Sequence, residues 1–155
     1  MKGAVHMSRS LRFGLLVFSI LFATGCNQLL AQVERFSTFL TGSAEVPPVP
    51  TGATGTMTLT LQGQSGSWVL NGQNFTSNVT AAHIHGPAGV GVNAGIIVTL
   101  SGAQPSNSIS STGTFGPANV SGMTWDTFVA HVRNGMTYVN VHTTTNPGGE
   151  IRGQL

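Results

Sequence analysis

The sequence predicts an all-β domain, an antiparallel β-sandwich or Greek-key barrel of seven or so short strands with one short helix near 124–133. Three observations carry this. Beyond residue 25 the chain is poor in charge and rich in Thr, Val, Ser, Asn and Gly; Thr and Val favour strands, and Gly, Asn and Pro punctuate them. Short runs of period-2 alternation recur between turn residues. One stretch only has helical spacing.

The first strand is expected over Arg35–Thr41. Glu45-Val46-Pro47-Pro48-Val49-Pro50 then interrupts pairing, because proline has no N–H to donate. Gly55–Leu61 alternates cleanly, with Thr56, Thr58 and Thr60 on one face and Met57, Leu59 and Leu61 on the other. A Gln-Gly-Gln-Ser-Gly turn leads to Ser67–Asn71 and completes a hairpin. In Asn78–His85, period 2 puts Val79, Ala81, His83 and His85 on one face, and Thr80, Ala82 and Ile84 on the other. Gly86-Pro87-Ala88-Gly89 breaks that strand, and a Gly-rich loop runs to Gly95. Ile96–Leu100 and Ser108–Phe115 are further strands.

Residues 124–133 read as a helix. Trp125, Phe128, Val129 and Val132 form one apolar stripe, Thr124 suits the N-cap, and Asn134-Gly135 suits the C-terminus. Met136–Thr143 returns to alternation, with Val139 and Val141 facing one way and Tyr138, Asn140 and His142 the other. Asn146-Pro147-Gly148-Gly149 is a turn, and Glu150–Leu155 is the last strand.

Residues 1–25 read as an export signal. Residues 13–23 are an apolar run behind Arg9 and Arg12, with small residues after it; the run is shorter than the ~20 residues a membrane span needs. Translation starting at Met7 would give a more typical basic segment. Ala23-Thr24-Gly25-Cys26 resembles a bacterial lipobox, with Ala where Leu is usual. In this reading Cys26 is the lipid attachment site and residues 26–35 form a tether. Ordinary cleavage, for instance after Ala31, is the alternative. The expected location is the outer membrane, periplasm or cell surface as a lipoprotein; without the lipid it is secretion.

Charge excludes one class of partner. From Cys26 onward there are three basic and four acidic residues, net −1, so no basic surface for nucleic acid is expected. The lone cysteine permits no internal disulfide.

Three motifs resemble those of the CHRD domain, the module named after chordin. Leu40–Val49 is similar to its opening, Ala81–Ala88 to its central signature, and Tyr138–His142 with Asn146–Leu155 to its close. Together they span nearly all of 36–155. The resemblance implies a β-rich extracellular domain, of which bacteria carry many single-domain versions. Chordin antagonises bone morphogenetic proteins, but nothing here matches its cysteine-rich modules, so no growth-factor partner is inferred.

The candidate chemistry lies in histidines. His83 and His85, two apart on a strand, project from one face about 7 Å apart. His142 ends another strand on its more polar face. If the strands are neighbours, the three imidazoles converge on one ion, copper or zinc being the metals that suit neutral imidazole. The competing reading is a structural polar network, in which the imidazoles bond to backbone or to Glu150, and Asn140 and Arg152 join. Glu150 and Arg152 share a strand face, where a surface pair contributes little. His131 is expected to be exposed.

The His-x-His strand also resembles the copper strand of Cu,Zn superoxide dismutases, yet no second His-rich loop accompanies it. No nucleophile–base or paired-carboxylate arrangement is legible, so no catalytic residue is named. Three functions follow in order: a non-enzymatic envelope binding or structural module; a Cu- or Zn-binding protein using His83, His85 and His142; and a dismutase-like redox enzyme.

Overall fold

A computed structural model describes residues 32–155. The expected export signal, Cys26 and most of the expected tether lie outside the described residues. Among the described residues there are eight strands: β1 (Val33–Thr41), β2 (Thr54–Gln62), β3 (Ser65–Gln73), β4 (Val79–His85), β5 (Ile96–Ser101), β6 (Ile109–Phe115), β7 (Tyr138–Thr143) and β8 (Ile151–Gln154). One helix, α1 (Trp125–Arg133), lies between β6 and β7. β1 begins at Val33, so the last three residues of the expected tether already pair with β2.

All strands join one antiparallel sheet in the order β5-β4-β7-β8-β1-β2-β3-β6. Its edges, β5 and β6, come back to within 8 Å at their Cα atoms. The fold is therefore all-β and nearly barrel-shaped, one sheet curling on itself. The chain crosses between β3 and β4, which have no strand neighbour in common.

The alternating strand β2 does what its pattern predicts. Met57, Leu59 and Leu61 are buried in the interior with Leu70, Ile84 and Val139. The β2–β3 turn is tighter than expected: Gln62 pairs with Ser65, leaving two residues, and Gly63 takes φ +57°, a conformation glycine adopts without penalty.

Helix α1 starts where the sequence places it, Thr124 Oγ1 accepting from the Thr127 N–H at 3.2 Å. Its stripe is buried, and Trp125 and Phe128 meet Phe115 in a cluster with ring centroids 5.7 Å apart. Trp125 Nε1–H donates to the Gly63 carbonyl at 2.9 Å, pinning the helix to the β2–β3 turn.

One face assignment fails. Val79 is buried in the interior with Ala82 and Ile84, not on the His83–His85 face. A register shift between Val79 and Ala81 explains it: an irregular step in the ladder re-aims the side chains beyond it.

Candidate metal centre

β4 and β7 are neighbours, with Ala81 opposite His142, His83 opposite Asn140 and His85 opposite Tyr138. β8 continues these rows: Arg152 lies beside Asn140, and Gln154 beside Tyr138. With Ala82, Ile84, Val139 and Val141 turned into the apolar interior, the alternate residues look outward. That outer face is covered by two loops. Residues 86–95 fold back over it, and residues 42–50 lie beside them, joined by Asn93 Nδ2–H donating to the Val46 carbonyl at 2.8 Å.

The three predicted histidines come together. One ring nitrogen from each of His83, His85 and His142 lies within 4.8 Å of the others. His83 Nδ1 is 3.1 Å from His142 Nε2. His85 Nδ1–H donates to the Ala94 carbonyl at 3.0 Å, and His142 Nδ1–H to the Pro147 carbonyl at 2.9 Å. A carbonyl only accepts, so both rings hold their proton on Nδ1 and present a bare Nε2. The Nε2 of His85 is buried and has no partner.

Electrostatics keeps this set neutral. Burial, then the neighbouring His142 and His85, push the His83 pKa down to about 4. Burial also lowers His85 and His142, against the opposing pull of their carbonyl bonds. Neutral imidazoles are what a transition metal binds; the His85 Nε2 lone pair is free, and that of His142 accepts only from the His83 Nδ1–H. His83 and His142 are only half-buried, so an ion has an approach from solvent.

The polar-network residues separate. Asn140 Nδ2–H donates to Glu45 Oε1 at 2.6 Å. Arg152 is 1% exposed, donates to the Val92 carbonyl at 2.8 Å and to Asn93 Oδ1 at 3.1 Å, and lies 3.4 Å over the Tyr138 ring. Tyr138 in turn stacks on His85, with centroids 4.9 Å apart and planes 7° apart. Glu150 sits just before β8 and accepts from Thr51, the Thr76 amide and hydroxyl, and Thr143, at 2.6–2.9 Å. Burial alone would raise its pKa; those donors bring it below the ordinary value.

Glu150 and Arg152 are therefore not a surface pair. Both are buried, each with its own partners: the 86–95 loop brings acceptors to Arg152, while Glu150 takes its donors from Thr51, Thr76 and Thr143. The histidines bond to backbone and to each other, not to Glu150. His131 lies half-buried on α1, outside the histidine group.

Sequence reasoning missed Glu45 and Tyr138. Burial pushes the Glu45 carboxyl up to about 7, against the pull of Arg152. Its signal was available: a carboxylate in a Pro-rich stretch, among only four acidic residues in the chain.

A nearly closed β-barrel carrying a histidine cluster under two covering loops defines the class of protein. The chain belongs to the CHRD domain family, whose match covers residues 36–155. No curated protein and no solved structure matches it significantly.

Proposed function

We propose that this chain is an exported, lipid-anchored, non-enzymatic CHRD module that binds one transition-metal ion, copper or zinc, through His83, His85 and His142. The observation that carries the reading is the pair of bare Nε2 atoms, on His85 and His142, each fixed by a carbonyl behind its ring and gathered with a His83 nitrogen. A ligand imidazole whose second N–H is held by a carbonyl is the usual outer-shell arrangement of a metal histidine. The donor set contains no thiolate or carboxylate. All-imidazole sets suit copper and zinc, and the divalent series ranks copper above zinc. Imidazole nitrogens bind at ~2.0–2.1 Å, so nitrogens now within 4.8 Å of one another must draw together around the ion, and the His83–His142 hydrogen bond gives way as His83 turns a deprotonated nitrogen to it.

Purified protein titrated with Cu(II) or Zn(II) is expected to take up one equivalent. His83→Ala and His85→Ala are each expected to weaken uptake by about 100-fold or more, since each removes a ligand directly. Equal metal content in the wild type and a His83→Ala/His85→Ala double variant would sink the reading. The anchor rests on the lipobox-like Ala23–Cys26 and is tested apart from the metal. Cells fed a clickable palmitate analogue are expected to label the wild type and not Cys26→Ser; label on the variant rules out Cys26 as the site.

A further inference from the structure

Among the described residues, three buried side-chain polar atoms have no hydrogen-bond partner: His85 Nε2, Thr137 Oγ1 and Asn140 Oδ1. Two of the three belong to the histidine face. Asn140 stands directly opposite His83, so their Cβ atoms are about 4.5–5.5 Å apart. Along β7 it lies between Tyr138 and His142, and it is 2% exposed.

Asn140 is held in one orientation. Its nitrogen donates to Glu45 Oε1 at 2.6 Å; above the Glu45 titration at about 7 the carboxylate only accepts, so there the amide is turned with nitrogen toward Glu45 and oxygen away from it. The contact needs a glycine behind it. Gly149 sits at φ +132°, and a Cβ there would fall on Asn140 Nδ2 and lie 2.7 Å from Glu45 Oε1. Glu45 and Gly149 come from segments far apart in sequence, and both serve to fix this one amide. An amide oxygen buried without a donor is costly, and fixing it in that state has a purpose only if a donor arrives.

The metal reading supplies the donor. Three imidazoles leave the fourth position of a four-coordinate ion open, and a water commonly fills it. An amide oxygen is a weak ligand for an ion with an imidazole donor set, but a good acceptor for a water proton. We propose that Asn140 is a positioning residue: its Oδ1 accepts a hydrogen bond from a water on the open position of the metal, and Glu45 with Gly149 sets the amide for that task. The inference rests on the metal site proposed above.

The first test is a crystal structure of zinc-loaded wild-type protein, grown at a pH of about 8, above the Glu45 titration at about 7. It is expected to show a water bound to zinc and within about 3.2 Å of Asn140 Oδ1. Asn140 Oδ1 bound to zinc directly, bonded to a protein group, or out of reach of the zinc-bound water overturns the inference. The second test is azide titration of copper-loaded Asn140→Ala, followed by visible absorption. The variant is expected to hold Cu(II) within about threefold of wild type and to bind azide about fivefold more tightly, because the displaced water has lost its acceptor. Unchanged azide affinity in a folded, copper-loaded variant overturns it. A wild type that takes up neither metal sinks the metal reading and this inference together; the other contrary outcomes sink this inference alone.

Discussion

The two halves of the sheet treat their outer faces differently. Along β2, β3 and β6 the interior side is apolar and the other side reaches solvent: Thr56, Asn71, Ser110 and Thr112 are exposed. Along β4, β7 and β8 both sides are largely covered. Their outer residues include Asn140, His85, Tyr138 and Arg152, all buried beneath the 42–50 and 86–95 loops. In the first half a polar residue needs only water. In the second it needs a partner, and the partners come from segments tens of residues away. That half concentrates both the cost of burying polar groups and the geometry available for chemistry.

The comparison is broken or sharpened most strongly at Arg152. Arg152→Ala removes a buried cation, strands the Val92 carbonyl and uncovers Tyr138; a loss of ~3–5 kcal/mol in urea unfolding is expected. Thr58→Ala, on the solvent-facing side of β2, should cost no more than about 0.5 kcal/mol. Similar losses at the two sites would erase the distinction between the halves.

Next in size is Gly149→Ala. The positive φ and the clash of the new Cβ with Asn140 are expected to cost ~1–3 kcal/mol. In two-dimensional NMR of the folded variant, the Asn140 side-chain amide should shift while resonances of β2 and β3 stay in place. An unmoved Asn140 amide would show that the Glu45–Asn140 contact does not depend on this glycine.

A smaller effect concerns pH. In metal-free protein His83 has its pKa lowered from 6.5 to about 4. Between these values the unfolded chain binds a proton that the folded chain refuses, so stability rises with pH across the window and is lost as pH falls toward 4. His85 and His142, also lowered, add the same sign. Glu45 opposes them: raised from 4.5 to about 7, its contribution is complete below 4.5 and lost as pH rises through 7. The urea midpoint in EDTA is therefore expected to climb over pH ~4 to 6.5, less steeply in His83→Asn and more steeply in Glu45→Gln. A Glu45→Gln profile parallel to wild type would contradict the buried, protonation-coupled role of Glu45.

The smallest effect is at the contact between α1 and β1. Arg133 and Glu34 form an exposed ion pair at 2.6 Å, of the kind that contributes little in water. Arg133→Ala should leave the urea midpoint where it is; a clear drop would mean that this pair is less solvent-screened than its exposure implies.

The strands of the open half were legible because their outer faces meet water, and a period of two then encodes everything a strand needs. β2 and the stripe of α1 were read correctly on that ground, with Thr124 marking the helix start. Val79 was misassigned because a ladder irregularity changes the face of a strand without changing its sequence pattern. Glu150 and Arg152 read as a surface pair because the loop segments that bury them, 86–95 over Arg152 and those carrying Thr51 and Thr76 around Glu150, have no alternation to announce it. Tyr138 passed as one more outward residue of β7, and only its place between Arg152 and His85 gives it a role.

By itself the sequence determined the all-β class, the helix α1 and the family, because these follow from local spacing and from motifs that stay together along the chain. It also named His83, His85 and His142 and put the first two on one face. What the tertiary structure alone decided is that β4 lies beside β7, which brings His142 to within 3.1 Å of His83. It decided too which carbonyl orients each ring and which carboxylate turns Asn140. Those partners lie up to 95 residues apart, and contacts at such separations depend on how the whole chain packs, which local pattern does not record.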